Sequence, residues 1–92
     1  MPTVFINLTN DSKCFTYYLQ REIETIDRIA RDDYTTKQEF TEWLIELIKN
    51  AAYNKDAKPR FIHDIQVNCR TKRAVFDRCL RAISNAVEYQ VA

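Results

Sequence analysis

Apolar and polar positions alternate in two stretches of the chain and recur at helical spacing in three others. In "TVFINL", Val4, Ile6 and Leu8 share one side of an extended segment, with Phe5 and Asn7 on the other, which predicts a strand. The polar cluster "TNDSK" follows and suits a turn or a helix cap. From Cys14 to about Arg31, the residues Phe15, Leu19, Ile23, Ile26 and Ala30 recur every three or four positions, as one face of a helix does. A rival reading makes "KCFTYYL" a second strand and "IDRIARDDY" a third, because Phe, Thr and Tyr favour strands.

"YTTKQEFTEWLIELIKNAAYN" carries the clearest helical signal. Thr36 and Glu39 form a T-x-x-E capping box that satisfies the first orphan N–H groups. Phe40, Trp43, Leu44, Leu47, Ile48 and Ala51 then make one apolar stripe. Asn54 stands where a C-terminal cap is wanted, "KDAKP" is a linker, and Pro59 stops the helix from continuing.

"RFIHDIQVNCR" returns to period two. Phe61, Ile65, Val67 and Cys69 face one way, with His63 among them. Arg60, Asp64, Gln66, Asn68 and Arg70 face the other, and Ile62 is the exception. That is the pattern of a half-buried strand. A last helix runs from about Thr71 to Tyr89. Phe76, Cys79, Leu80, Ile83 and Val87 form its apolar side, with Arg73, Arg78 and Arg81 opposite and Arg70 where that row begins. Strands and helices in this order predict a small α+β domain over residues 1–92. An antiparallel sheet of two to four strands has two or three helices packed on one face.

Composition narrows the function. At 92 residues the chain holds one modest core, and 46% hydrophobic with 29% charged residues is a globular mixture. No run approaches the roughly 20 apolar residues that span a bilayer, and "MPTVFINLTNDSK" lacks the basic start of an export leader. Three cysteines without such a leader are expected to be free thiols. Glycine is wholly absent. Phosphate-cradling loops, dinucleotide fingerprints and nucleophile elbows all need glycine, so none is present. No cofactor or small-molecule substrate is expected.

The net charge of +1 hides a division. Residues 1–50 carry six Lys/Arg against nine Asp/Glu, while residues 51–92 carry eight against four. The basic row of the last helix, extended by Lys72 and by Lys58 and Arg60, is the leading candidate for binding phosphate or carboxylate, since guanidinium pairs with both. Tyr17 joins it, because Tyr17 and Tyr18 cannot both face a core from one helix and an exposed tyrosine suits an interface. The competing reading of the row is an ordinary solvated helix face. His63 beside Asp64 suggests a base or a metal ligand, but Cys14, Cys69 and Cys79 offer no zinc spacing. A partly buried strand histidine explains His63 as well.

The chain as a whole, opening "MPTVFINLTNDSKCFTYYLQREIETIDRIARDD" and running through "ARDDYTTKQEFTEWL", resembles the small phage-encoded anti-CRISPR proteins that inhibit type I-F surveillance complexes. The resemblance implies a non-enzymatic blocker in the host cytoplasm. Its partners would be subunits of the surveillance complex and, through the cationic row, its guide RNA. A nearly neutral charge argues against mimicry of DNA, which needs a sheet of carboxylates, and leaves wedging against the complex. The alternative from the residues themselves is a small phage or bacterial regulator that lays its basic last helix along nucleic acid.

Overall fold

The computed structural model describes residues 13–53 and 56–91, with side chains described as far as residue 86. Every regular element among them is helical: α1 (Phe15–Arg21), α2 (Ile23–Arg31), α3 (Lys37–Ile48), α4 (Ala57–Val67) and α5 (Lys72–Val91). The expected α+β sheet is therefore overturned. The strand expected over Val4–Leu8 and the Asn54 cap lie outside the described residues.

The decisive correction falls on "RFIHDIQVNCR", which forms most of α4 instead of a strand. Ile62, the misfit of the period-two reading, sits beside Phe61 one turn before Ile65 and two before Cys69. Phe61 and Ile62 are partly buried, while Ile65 and Cys69 are buried. Val67, expected to point inward, is 62% exposed. Short apolar runs fit both periods, and packing decides between them. Pro59 does not separate the elements as a linker residue. It lies in the first turn of α4, where a missing N–H and a fixed φ cost nothing.

The helical alternative for Cys14–Arg31 prevails over the strands. Two helices replace one because Glu22 leaves helical geometry, with φ −106° and ψ 17°. Its N–H still donates to the Tyr18 carbonyl at 3.1 Å, and its carbonyl accepts from Ile26 N–H at 2.8 Å. The joint is thus a bend with the hydrogen-bond ladder nearly intact. α3 starts as expected: Glu39 N–H donates to Thr36 Oγ1 at 3.1 Å, and Thr36 N–H donates to Glu39 Oε1 at 2.9 Å. Thr71 begins α5 in the same manner, its Oγ1 accepting from Ala74 N–H at 3.1 Å.

α5 packs on α1, α2 and α3, while α3 also meets α1 and α4. Leu19, Ile26, Phe40, Leu44, Ile48, Ile65, Val75 and Cys79 are fully buried between them. Each large aliphatic or aromatic side chain so placed contributes about 1.5–3 kcal/mol. Leu80, assigned to the apolar side from its spacing, is 42% exposed, whereas Val75 takes an inward position.

A chain without glycine must end its helices by other means, because the usual left-handed C-terminal residue is unavailable. Three lysines do this work from a distance. Lys72, the first residue of α5, donates from Nζ to the Ile29 carbonyl at 3.0 Å and to the Asp32 carbonyl, at the end of α2. Lys58, in the first turn of α4, donates to the Ala51 carbonyl at 2.6 Å and the Lys49 carbonyl at 3.4 Å, just beyond α3. Lys37, the first residue of α3, reaches the Gln66 carbonyl at 3.1 Å in the last turn of α4. A cation in a helix's own first turn opposes its dipole. Here each ammonium instead satisfies carbonyls at the negative end of another helix. Lys72→Met, which keeps most of the stem, is expected to lower stability by about 1–2 kcal/mol. Lys49→Met removes only a surface pair with Glu46 and is expected to change it by less than about 0.5 kcal/mol. Urea denaturation of both variants checks the contrast.

Candidate functional site

The basic row of α5 does not survive as one surface. At about 100° per residue, Arg73 and Arg78 stand about 140° apart around the helix, with Arg81 between them. Arg78 turns toward α4 and donates from Nη1 to Asp64 Oδ2 in a partly buried ion pair. Arg73 turns the other way. It lies with Phe76 in a hollow shared with Ile23, Glu24, Asp27 and Arg31 of α2. Its Cζ stands 5.2 Å from the Phe76 ring centre, and its Nε lies 3.6 Å from Asp77 Oδ1 on its own helix. The continuous cationic row expected across α5 is corrected to three arginines in different settings: Arg78 paired with Asp64, Arg73 beside Phe76 and Asp77, and Arg81 exposed.

Lys58 and Lys72 are also spent, since both ammonium groups cap helix ends. Tyr17 sits apart on α1, half-buried and edge-on to Tyr18 at 5.1 Å between ring centres. The Arg21 guanidinium lies 5.6 Å from the Tyr17 ring and 5.1 Å from the Tyr18 ring. Tyr17 is therefore part of an aromatic–arginine cluster, not of the α5 surface.

What the fold does bring together is a shallow face between α4 and α5. Two adjoining hollows share Phe61 and Asp64. One adds Pro59, Arg60, His63 and Asn68, and the other adds Arg78, Arg81, Ala82 and Asn85. Arg60 and Arg81 are exposed and make no salt bridge among the described residues. The Arg60 Nε–H is held by its own helix, donating to the Asp56 carbonyl at 3.2 Å. Asp64, at the centre, takes the Arg78 hydrogen bond and a second from Asn68 Nδ2 at 2.8 Å. Arg78, Asn68 and, more weakly, Arg81 hold its carboxyl below the usual carboxylate range. The one acid of the face is thus matched, and the surplus charge is positive. Asn68, Asn85 and Phe61 escaped the sequence reading because their positions come together only once residues 57–67 coil. The i, i+4 series Arg60, Asp64, Asn68 carries that information. Arg70, exposed in the α4–α5 turn, lines neither of these hollows.

The thiols are poor candidates for chemistry. Cys79 is fully buried and its pKa is pushed up to about 12 by desolvation, and burial also raises that of Cys69. His63 is exposed on α4, not half-buried in a strand. No cluster of three metal-ligating side chains occurs among the described residues, and no helix among them is long and apolar enough to cross a membrane.

Asp64 gives the face a pH signature. Its depressed pKa means that the pair contributes stability above the unfolded carboxylate pKa, and that this contribution is lost as pH falls through the folded value. Asp32 is depressed likewise, first by the Tyr34 N–H, and Glu39 by the Thr36 N–H. The urea midpoint is therefore expected to be flat from neutral pH to about 5 and to fall below about pH 4. Asp64→Asn should remove part of that fall. An identical acid limb in the variant would refute a native role for the pair.

No protein-family model matches the chain, and neither does any curated protein or solved structure.

Proposed function

We propose that the chain is a non-enzymatic phage inhibitor that binds a type I-F CRISPR surveillance complex in the host cytoplasm and keeps it from target DNA. The resemblance supplies the target. The observation that carries a binding role is the α4–α5 face, where Arg60 and Arg81 flank a neutralised Asp64–Arg78 pair and make no ion pair among the described residues. Such a face suits the acidic rim of a protein surface or a short run of guide phosphates. It suits the alternative, a regulator gripping duplex DNA along α5, less well. That grip needs several free cations along one side of the helix, and here Lys72 and Arg78 are already committed.

The test uses purified type I-F surveillance complex and a labelled target duplex. Adding the chain first is expected to abolish duplex binding by the complex, while the chain alone leaves the duplex unshifted at moderate salt. If the chain alone shifts duplex DNA with a steep salt dependence and leaves the complex active, the regulator replaces the inhibitor.

A further inference from the structure

We infer that the turn between α2 and α3 and the turn between α4 and α5 together form a second docking surface, with Tyr34, Val67 and Arg70 as its anchors, and that its occupant is a protein surface. The two turns are neighbours because two lysines tie them. Lys37, just after the first turn, holds the Gln66 carbonyl just before the second. Lys72, just after the second, holds the Asp32 carbonyl in the first. Two of the large hydrophobic side chains left open to solvent stand here, Tyr34 at 94% and Val67 at 62% exposure. Arg70 is exposed between Cys69 and Thr71.

The turn that carries Tyr34 is braced. Asp32 Oδ1 accepts from Tyr34 N–H at 3.0 Å, and Asp32 Oδ2 accepts from the Thr35 hydroxyl at 2.8 Å. The capping box begins one residue later. A ring on a backbone already held in place loses little entropy on binding, and tyrosine and arginine dominate binding hot spots.

Charge selects a protein over a nucleic acid as the occupant. Exposed Asp33 adjoins Tyr34, and the Asp32 carboxylate lies under the same turn. A base stacked on Tyr34 would bring its phosphates against these acids. The ammonium groups of Lys37 and Lys72 are already bonded to carbonyls, while exposed Arg70 makes no salt bridge among the described residues. Two exposed apolar side chains on turns tied to each other, with one arginine and one aspartate on the same turns, fit a protein pocket edged by a carboxylate and a basic group. The inference rests on the proposed target for its partner and on the turns alone for its geometry.

The test is affinity for the purified type I-F complex, measured for the wild-type chain, Tyr34→Ala, Tyr34→Phe, Val67→Ser and Arg70→Glu. Melting curves establish that each variant is folded. Tyr34→Ala is expected to weaken binding at least about 30-fold, in the hot-spot range, Val67→Ser and Arg70→Glu about 5- to 10-fold each, and Tyr34→Phe under about 3-fold. A photoreactive phenylalanine analogue at position 34 is expected to cross-link to a protein subunit of the complex. Cross-linking to the guide RNA, or to a second copy of the chain, overturns the inference. If the wild-type chain binds and the variants bind within twofold of it, the turn surface falls while the inhibitor reading stands. If the wild-type chain does not bind the complex, both fall.

Discussion

Phe40→Ala is expected to remove about 3–5 kcal/mol of folding stability, the range for truncating a large buried aromatic. A domain of this size commonly has a total of about 5–10 kcal/mol, so the variant will be close to unfolding at 37 °C. The position explains the magnitude. Phe40 is wholly inaccessible in the first turn of α3, and its ring stacks on Trp43 with 6.5 Å between centres and 14° between planes. It shares one buried cluster with Leu19 of α1, Leu44 of α3 and Val75 of α5, and a helix backbone cannot collapse into the space a ring leaves. Leu80→Ala provides the contrast, with an expected loss below about 1 kcal/mol because the side chain is 42% exposed. Urea titrations of both variants decide the point. A Leu80 variant as unstable as the Phe40 variant would mean that the outer side of α5 is covered in solution.

Leu80 also shows where the sequence stops being informative. On a bare helical wheel it adjoins Phe76 and Ile83 and belongs to the apolar side. Which edge of a stripe is buried depends on where the neighbouring helices lie, and α1, α2 and α3 approach α5 closer to Val75 and Cys79. α3 was legible because three signals agree there: the capping box, the period, and an uninterrupted stripe of large residues. α4 was not. Its apolar residues, Phe61, Ile62, Ile65 and Val67, satisfy alternation almost as well as a helical period, and no cap marks its start. The missing glycines pointed to Asn54 as the C-terminal cap of α3, a position outside the described residues. They could not foretell lysine caps, because the carbonyls reached lie up to 43 residues away in sequence. The placement of the candidate site residues was illegible in part for the same reason. Lys58 and Lys72 look like members of a charged face, and only tertiary structure reveals that their ammonium groups are bonded to carbonyls of other segments.

Arg78 and Arg81, three residues apart on α5, are expected to separate stability from binding. Arg78→Glu places a second carboxylate against Asp64, which loses its strongest hydrogen bond and gains a like charge. The melting temperature should fall by several degrees, and Asp64→Arg in the same chain should restore much of it, since the exchanged pair regains opposite signs. Arg81→Glu breaks no salt bridge among the described residues and loses only a weak attraction to Asp64, so the melting temperature should fall far less than for Arg78→Glu. Affinity for the surveillance complex is expected to fall about tenfold, and by about 100-fold when Arg60→Glu is added, each tenfold step corresponding to about 1.4 kcal/mol. Much of the loss should appear in the association rate and shrink at high salt, as it does for charges at the rim of an interface. Surface plasmon resonance at two ionic strengths reads both quantities. Should the double reversal bind as tightly as the wild type while remaining folded, the α4–α5 face is not where the partner docks.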